Sequence, residues 1–251
     1  MIFDSHAHYT DAQFQNDFDT LYRQMQQNGV ARILTCATDF KDCEAVLRLC
    51  EQYENLYAAV GVYPHETHLQ GEWDESRLRR YAAHEKAVAI GEIGLDYHYD
   101  GAPKSIQKEW VVRQIELANE LAMPISFHDR EAHGDTLEIL KTYRPKGVVH
   151  CFSGSVEMAR EVIKIGMFIG IGGAVTFKNA RVPVEVVEAV PIEHILLETD
   201  APYMTPAPHR GKRNRSDYIL LIAQKIAEIK GMTAQAVIDA TEQNANRLFG
   251  L

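Results

Sequence analysis

Short apolar or β-branched runs alternate along the chain with longer stretches whose apolar residues recur every three or four positions. The short runs, at 2–5, 32–35, 57–61, 88–92, 125–128, 148–150, 168–171 and 195–198, predict β-strands. The longer ones, at 14–27, 43–53, 76–84, 105–121, 136–143, 156–165, 183–189 and 218–229, predict helices, with one more at 234–248. Regular βα alternation implies an α/β protein with a parallel sheet. Eight units in 251 residues match a closed (β/α)8 TIM barrel with one extra C-terminal helix. No Pro/Gly/Ser-rich linker divides the chain, so 1–251 reads as a single domain. The competing architecture is an open doubly wound sheet, whose best support is Gly170-Ile171-Gly172-Gly173. That run lacks the full Gly-x-Gly-x-x-Gly pattern and an acidic partner at the expected distance. These glycines are expected instead to let the backbone turn at the barrel mouth.

Composition narrows the class. Apolar residues make up 46% of the chain, enough for a sizeable core, and no apolar run approaches the length of a membrane span. Met1 is followed by neither the basic nor the apolar region of a signal peptide, so a cytoplasmic protein beginning at Met1 is expected, with no obligate protein partner evident. Cys36, Cys43, Cys50 and Cys151 show no Cys-x-x-Cys spacing and read as reduced, buried apolar side chains. A net charge of -9 argues against a protein that coats nucleic acid non-specifically. It leaves room for an enzyme that meets phosphate locally, through bound cations and one basic loop.

The chemistry lies where the predicted strands end. In extended backbone, residues i and i+2 share a face, so His6 and His8 converge as the first strand runs out. His65, Glu92, His128, His150 and Asp200 stand at the C-terminal ends of later strands. In a barrel those ends form one rim, which brings residues distant in sequence together. Each residue alone has a bland reading, as a packed histidine or a turn former. Six or seven polar groups at buried positions do not share one. Four histidines and two carboxylates suffice for two divalent cations, zinc, manganese or magnesium, bridged by Glu92. Small neighbours at Gly91 and Gly94 would let metals approach Glu92. His6, His8 and Asp200 would hold one ion, and His128 and His150 the other. Two ions about 3.5–4 Å apart activate water and neutralise charge on attacking and leaving oxygens, which suits phosphate ester hydrolysis.

Six motifs carry a family likeness: Asp-Ser-His-Ala-His at 4–8, Gly-Val-Tyr-Pro-His at 61–65, Gly-Glu-Ile-Gly-Leu-Asp-Tyr at 91–97, Pro-Ile-Ser-Phe-His-Asp-Arg at 124–130, His-Cys-Phe-Ser-Gly at 150–154 and Glu-Thr-Asp-Ala-Pro-Tyr at 198–203. Together with Asn-Ala-Asn-Arg-Leu-Phe at 244–249, they make the whole chain resemble the TatD family of metal-dependent deoxyribonucleases. The resemblance implies a metal-dependent hydrolase barrel with two divalent metals, held by His6, His8, Glu92, His128, His150 and Asp200, and cleavage of DNA from its 3' end. Two positions depart from the family. Tyr63 stands where a histidine is usual, and Arg213-Asn214-Arg215-Ser216 replaces Arg-Asn-Glu-Pro. The loop from Thr205 to Arg215 is strongly basic, and reads as a phosphate-gripping rim rather than a solvated charge run.

The expected protein is therefore a 3'-to-5' exodeoxyribonuclease with nucleic acid as its substrate. Asp200, with Glu92, carries catalysis, and Asp200 takes the proton of the attacking water. His65, Arg130, Arg210 and Arg213 hold phosphate, and Tyr203 contacts substrate or packs at the rim, with packing favoured. The alternative keeps the metals but changes the substrate to a carboxylic ester or amide: a lactone, a cyclic amide or an aminoacyl-tRNA ester. A non-enzymatic metal-binding protein is the third reading.

Overall fold

The computed structural model describes residues 1–251. Eight parallel strands pair in sequence order: β1 (Ile2–Ala7), β2 (Val30–Cys36), β3 (Leu56–Val60), β4 (Ala87–Asp96), β5 (Ile125–Arg130), β6 (Gly147–Val149), β7 (Phe168–Ile171) and β8 (Ile195–Leu197). Helices α1 (Phe18–Gln27), α2 (Phe40–Gln52), α3 (Glu75–Ala82), α4 (Lys104–Glu120), α5 (His133–Tyr143), α6 (Val156–Lys164), α7 (Arg181–Ala189) and α8 (Ile219–Lys230) follow them in turn. This is the nearly closed TIM barrel the alternation predicts. The open doubly wound sheet is excluded, because its strand order would reverse at a switch point. The seam between β1 and β8 closes at its C-terminal end alone, through a bridge between Ala7 and Ala201.

Two apolar layers hold the barrel. The larger lies between strands and helices. The smaller fills the barrel interior with Phe3, Leu34, Ala59, Ala89, Val148, Phe168 and Leu196. The extra helix α9 (Ala234–Phe249) completes that interior from below, where the ring of Phe249 lies 5.7 Å from that of Phe3. Asn244 ties it there by donating to the carbonyls of Ile192 and Ile195. Fully burying each of these aromatic rings is worth about 1.5–3 kcal/mol. No helix is long and apolar enough to cross a membrane.

Most boundaries shift by three residues or fewer from the sequence reading, and two shift further. The helix expected from residue 14 begins at Phe18, after a separate 3-10 turn at Ala12–Phe14. Strand β4 runs past Glu92 to Asp96. Gly94 stays inside it because a Cβ there would stand 2.0 Å from the carbonyl oxygen of His128 on the neighbouring strand. That glycine serves strand packing, not the approach of metals expected for it. Gly170, expected at a turn, lies within β7, where a Cβ would strike the Glu198 carboxylate at 2.2 Å.

Candidate metal centre

Strand β1 carries His6 into the barrel mouth and His8 follows its end, so the two rings share a side and their Nε2 atoms stand 3.2 Å apart. Glu92 from β4 reaches between two imidazole pairs. Its Oε2 lies 3.4 Å from His6 Nε2 and 3.3 Å from His8 Nε2. Its Oε1 lies 2.9 Å from His128 Nδ1 and 2.7 Å from His150 Nε2. Asp200 Oδ1 stands 3.5 Å from His8 and 3.9 Å from His6, and its carboxylate also groups with His6 and His150. Three overlapping ligand sets result: His6, His8 and Glu92; His6, His150 and Asp200; Glu92, His128 and His150. All six residues named as ligands from the sequence meet at one place.

The outer nitrogens show what the inner ones are free to do. His8 Nδ1 donates to the carbonyl of Cys36 at 3.0 Å, and His128 Nε2 faces Asp96 Oδ2 at 3.2 Å. His6 Nδ1 is hydrogen-bonded to Ser126 Oγ at 2.9 Å. Carbonyl and carboxylate oxygens only accept, so neutral His8 and His128 keep bare lone pairs pointing inward. Bare nitrogens and carboxylates facing one another at about 3 Å call for cations, and imidazole with carboxylate suits zinc or manganese. Without a metal, protons take that place. His8 is held well above the ordinary histidine range, because hydrogen bonds to Asp200 and Glu92 outweigh burial. His128 is likewise raised to about 9, its partners Asp96 and Glu92 overcoming burial. The neighbouring histidines hold Glu92 well below the carboxylate range and lower Asp200, both against burial. His6, buried and beside His150, is pushed down to about 4.

Three further buried carboxylates, Asp96, Asp4 and Glu198, were not singled out as site residues from the sequence. Asp96 lies on the same strand as Glu92 at an even spacing, which was the available signal. Its Oδ2 also accepts from the Tyr63 hydroxyl at 2.8 Å, so Tyr63 stands beside His128. Asp4 accepts from the Thr199 amide at 2.9 Å and from the hydroxyls of Thr199 and Ser216, each at 2.6 Å. That tie sets the backbone next to Asp200, whose own amide donates to the His6 carbonyl at 2.9 Å. Asp200 thereby holds a left-handed φ of +58°, which costs most side chains energy and aspartate less. Glu198 accepts from the Cys151 amide, and burial pushes its carboxyl well above the usual range. Its Oε1 lies 3.9 Å from His150 Nδ1. Cys151 itself is half-buried and lines the cleft, unlike the buried apolar role expected for it.

A cleft of about 1110 Å³ opens above the cluster. Of the five expected substrate contacts, Arg130 and Tyr203 line it, and His65, Arg210 and Arg213 do not. His65 Nε2 is buried, 3.6 Å from Asp96 Oδ1. Arg210 lies over the Phe177 ring at 3.7 Å. Arg213 is clamped on both carboxylate oxygens of Asp17, at 2.9 and 2.6 Å, and lies over Phe14. Arg215 pairs with Asp217. Two of the basic loop's four cations, Arg213 and Arg215, are therefore neutralised by aspartates on either side of it, whereas Arg210 and Lys212 enter no ion pair, and none of the four lines the cleft. The outer wall of the cleft is instead acidic, with Asp11, Asp39, Asp42 and Glu66 against Lys41 and Arg130. Tyr203, expected to pack, is 51% exposed, with its hydroxyl donating to Asp11 at 2.9 Å.

Comparison with known proteins agrees with this geometry. The family model described as TatD related DNase matches residues 3–250. An uncharacterized metal-dependent hydrolase of Bacillus subtilis, YabD, is 42% identical over 252 residues, covering 99% of each chain. A Cronobacter sakazakii protein named 3'-5' ssDNA/RNA exonuclease TatD is 32% identical over 256 residues, covering 99% of this chain and 97% of its own. Among solved structures, the TatD homologue YjjV of Escherichia coli superposes with a TM-score of 0.92 at 31% identity, covering 100% of this chain and 98% of that one.

Proposed function

The chain belongs to the TatD-related DNases and is a metal-dependent hydrolase, and from that premise we propose that it cleaves phosphodiester bonds of nucleic acid stepwise from the 3' end. The observation that carries this reading is the division of Glu92 between two imidazole pairs, one oxygen to each. His6, His8 and Glu92 would hold one divalent cation, and Glu92, His128 and His150 a second, with Asp200 within reach of both sets. Two such ions, zinc, manganese or magnesium, supply Lewis-acid charge to phosphoryl oxygens and lower the pKa of water.

The remaining work falls to the protein's own groups. Asp200 is kept ionised by the histidines around it, so its carboxylate is ready to accept the proton of an attacking water. Water adds to phosphorus as its proton passes to Asp200, the bond to the 3' oxygen breaks, and that oxygen takes up a proton from solvent while Asp200 releases its own. Glu92, buried and ionised, stays a ligand throughout and balances the charge of the cations. Arg130 offers the cleft wall a guanidinium for phosphate. The name of the Cronobacter sakazakii relative supports both the polarity and the single-stranded substrate.

The acidic outer wall favours a second reading, in which the substrate carries less negative charge, such as a carboxylic ester or amide. One experiment separates the two: a matrix of zinc, manganese and magnesium against end-labelled single-stranded DNA, RNA and chromogenic carboxylic esters. Stepwise shortening of DNA or RNA from the 3' end is the expected result. Turnover of carboxylic esters alone would overturn the nuclease reading in favour of the second.

A further inference from the structure

Two aromatic side chains stand exposed at the cleft, Tyr99 at 53% and Tyr203 at 51%. They follow β4 and β8, which lie half a barrel apart, so they face the mouth from opposite sides. Tyr99 is braced from behind. The Arg130 guanidinium lies 4.6 Å from its ring centroid and donates to its hydroxyl at 3.2 Å. His65 and His98 meet the ring edge-on, at 5.6 and 4.7 Å. More than half of the tyrosine nevertheless stays open to the cleft, although an aromatic ring of this size gains most by burial. Arg130 enters no ion pair and lines the cleft, whereas Arg213 and Arg215 in the basic loop are both neutralised by aspartates outside it.

We infer that Tyr99 and Arg130 form a nucleotide subsite, the open face of Tyr99 stacking on a base and the unpaired donors of Arg130 taking the adjoining phosphate. The assignment rests on the nucleic-acid reading above and adds what it lacks, a contact to bases. A flat, rigid ring with a cation behind it suits any base, because every base presents a π face. The stack is available only to a base free of its neighbours, so the subsite selects unpaired strand ends. It also explains how a polyanion enters an acidic cleft: an unpaired guanidinium directly beside an aromatic platform marks the side on which the strand lies.

The test compares KM for a 5'-labelled single-stranded DNA with KM for the same strand ending in abasic residues, using the manganese-loaded protein. Bis(p-nitrophenyl) phosphate reports on the metal centre without a base-bearing strand. Tyr99→Ala is expected to raise KM about tenfold on the normal strand, and to change neither the abasic strand nor the small diester. Tyr99→Trp restores the normal KM. Arg130→Gln raises KM on both strands, since phosphate is present in each. Equal loss by Tyr99→Ala on normal and abasic strands, or no loss on either, overturns the subsite while leaving the nuclease intact. A wild-type protein that cleaves the small diester but no DNA or RNA overturns the nucleic-acid reading, and the subsite with it.

Discussion

Asp96 holds His128 by the nitrogen that faces away from Glu92: Asp96 Oδ2 lies 3.2 Å from Nε2, and Glu92 Oε1 lies 2.9 Å from Nδ1. The carboxylate is fully buried and ionised, lowered by His128 and Tyr63 against the cost of burial. It therefore fixes the ring tautomer and aims the Nδ1 lone pair at the centre. Asp96→Ala is expected to weaken metal binding about 10- to 100-fold, measured by competition with a chromogenic chelator. Tyr63→Phe, which removes one donor to Asp96 and leaves the contact of Asp96 with His128 in place, should cost less. An unchanged affinity for Asp96→Ala would remove this role.

Asp200→Asn keeps the size of the side chain, and asparagine tolerates the same left-handed backbone. The variant is expected to fold with the wild-type melting temperature and to lose about 10²- to 10⁴-fold in kcat, because the proton acceptor is gone. Turnover within threefold of wild type would place proton transfer on another group.

Metal removal should make stability depend on alkaline pH. In the metal-free protein His8 and His128 are held above their ordinary value, His128 at about 9, so between about 6.5 and 9 the folded state binds more protons than the unfolded chain. Their stabilisation is complete below about 6.5 and is lost as pH rises through 9. Glu92 and Asp200, both lowered, contribute a constant amount across that window. Melting temperatures in excess EDTA should fall from pH 6.5 to 9.5, whereas those in manganese should fall far less. Parallel curves would show that cations do not replace these protons.

Arg213→Ala should leave KM for DNA within about twofold of wild type, since its guanidinium is bound to Asp17 and lies over Phe14, away from the cleft. Its cost should appear in stability, as a loss of about 1 kcal/mol or less for a partly exposed pair. A large rise in KM with unchanged melting would return the loop to the substrate.

The six candidate ligands were legible because barrel topology turns sequence position into spatial position: a polar residue at the end of a buried strand has nowhere to point except the rim. His6, Glu92 and His150 are all buried. Asp96 was missed because the fourth strand is expected to end at Glu92, with Gly94 read as room for metals. The actual constraint on Gly94, the carbonyl of His128 on the next strand, is invisible in one dimension. Arg213 misled for a related reason. Charge density along a chain says nothing of a partner 196 residues away, and Asp17 is such a partner for Arg213. Tyr203 was expected to pack, yet its ring lies in the open mouth, an exposure that only the assembled rim decides.

The seam of the barrel has a consequence for how the molecule comes apart. Between β8 and β1 the sheet has no ladder, and the two sides meet at the bridge of Ala7 with Ala201, where His8 N–H donates to the Ala201 carbonyl and Asp200 N–H to that of His6. His6 and His8 stand on one side of this join and Asp200 on the other. A cation held by groups on both sides would act as a clasp on a bracelet, tying the first strand of the chain to the last. Opening the ring and releasing the metal then become one event, so chelation should loosen the first and eighth strands before any others.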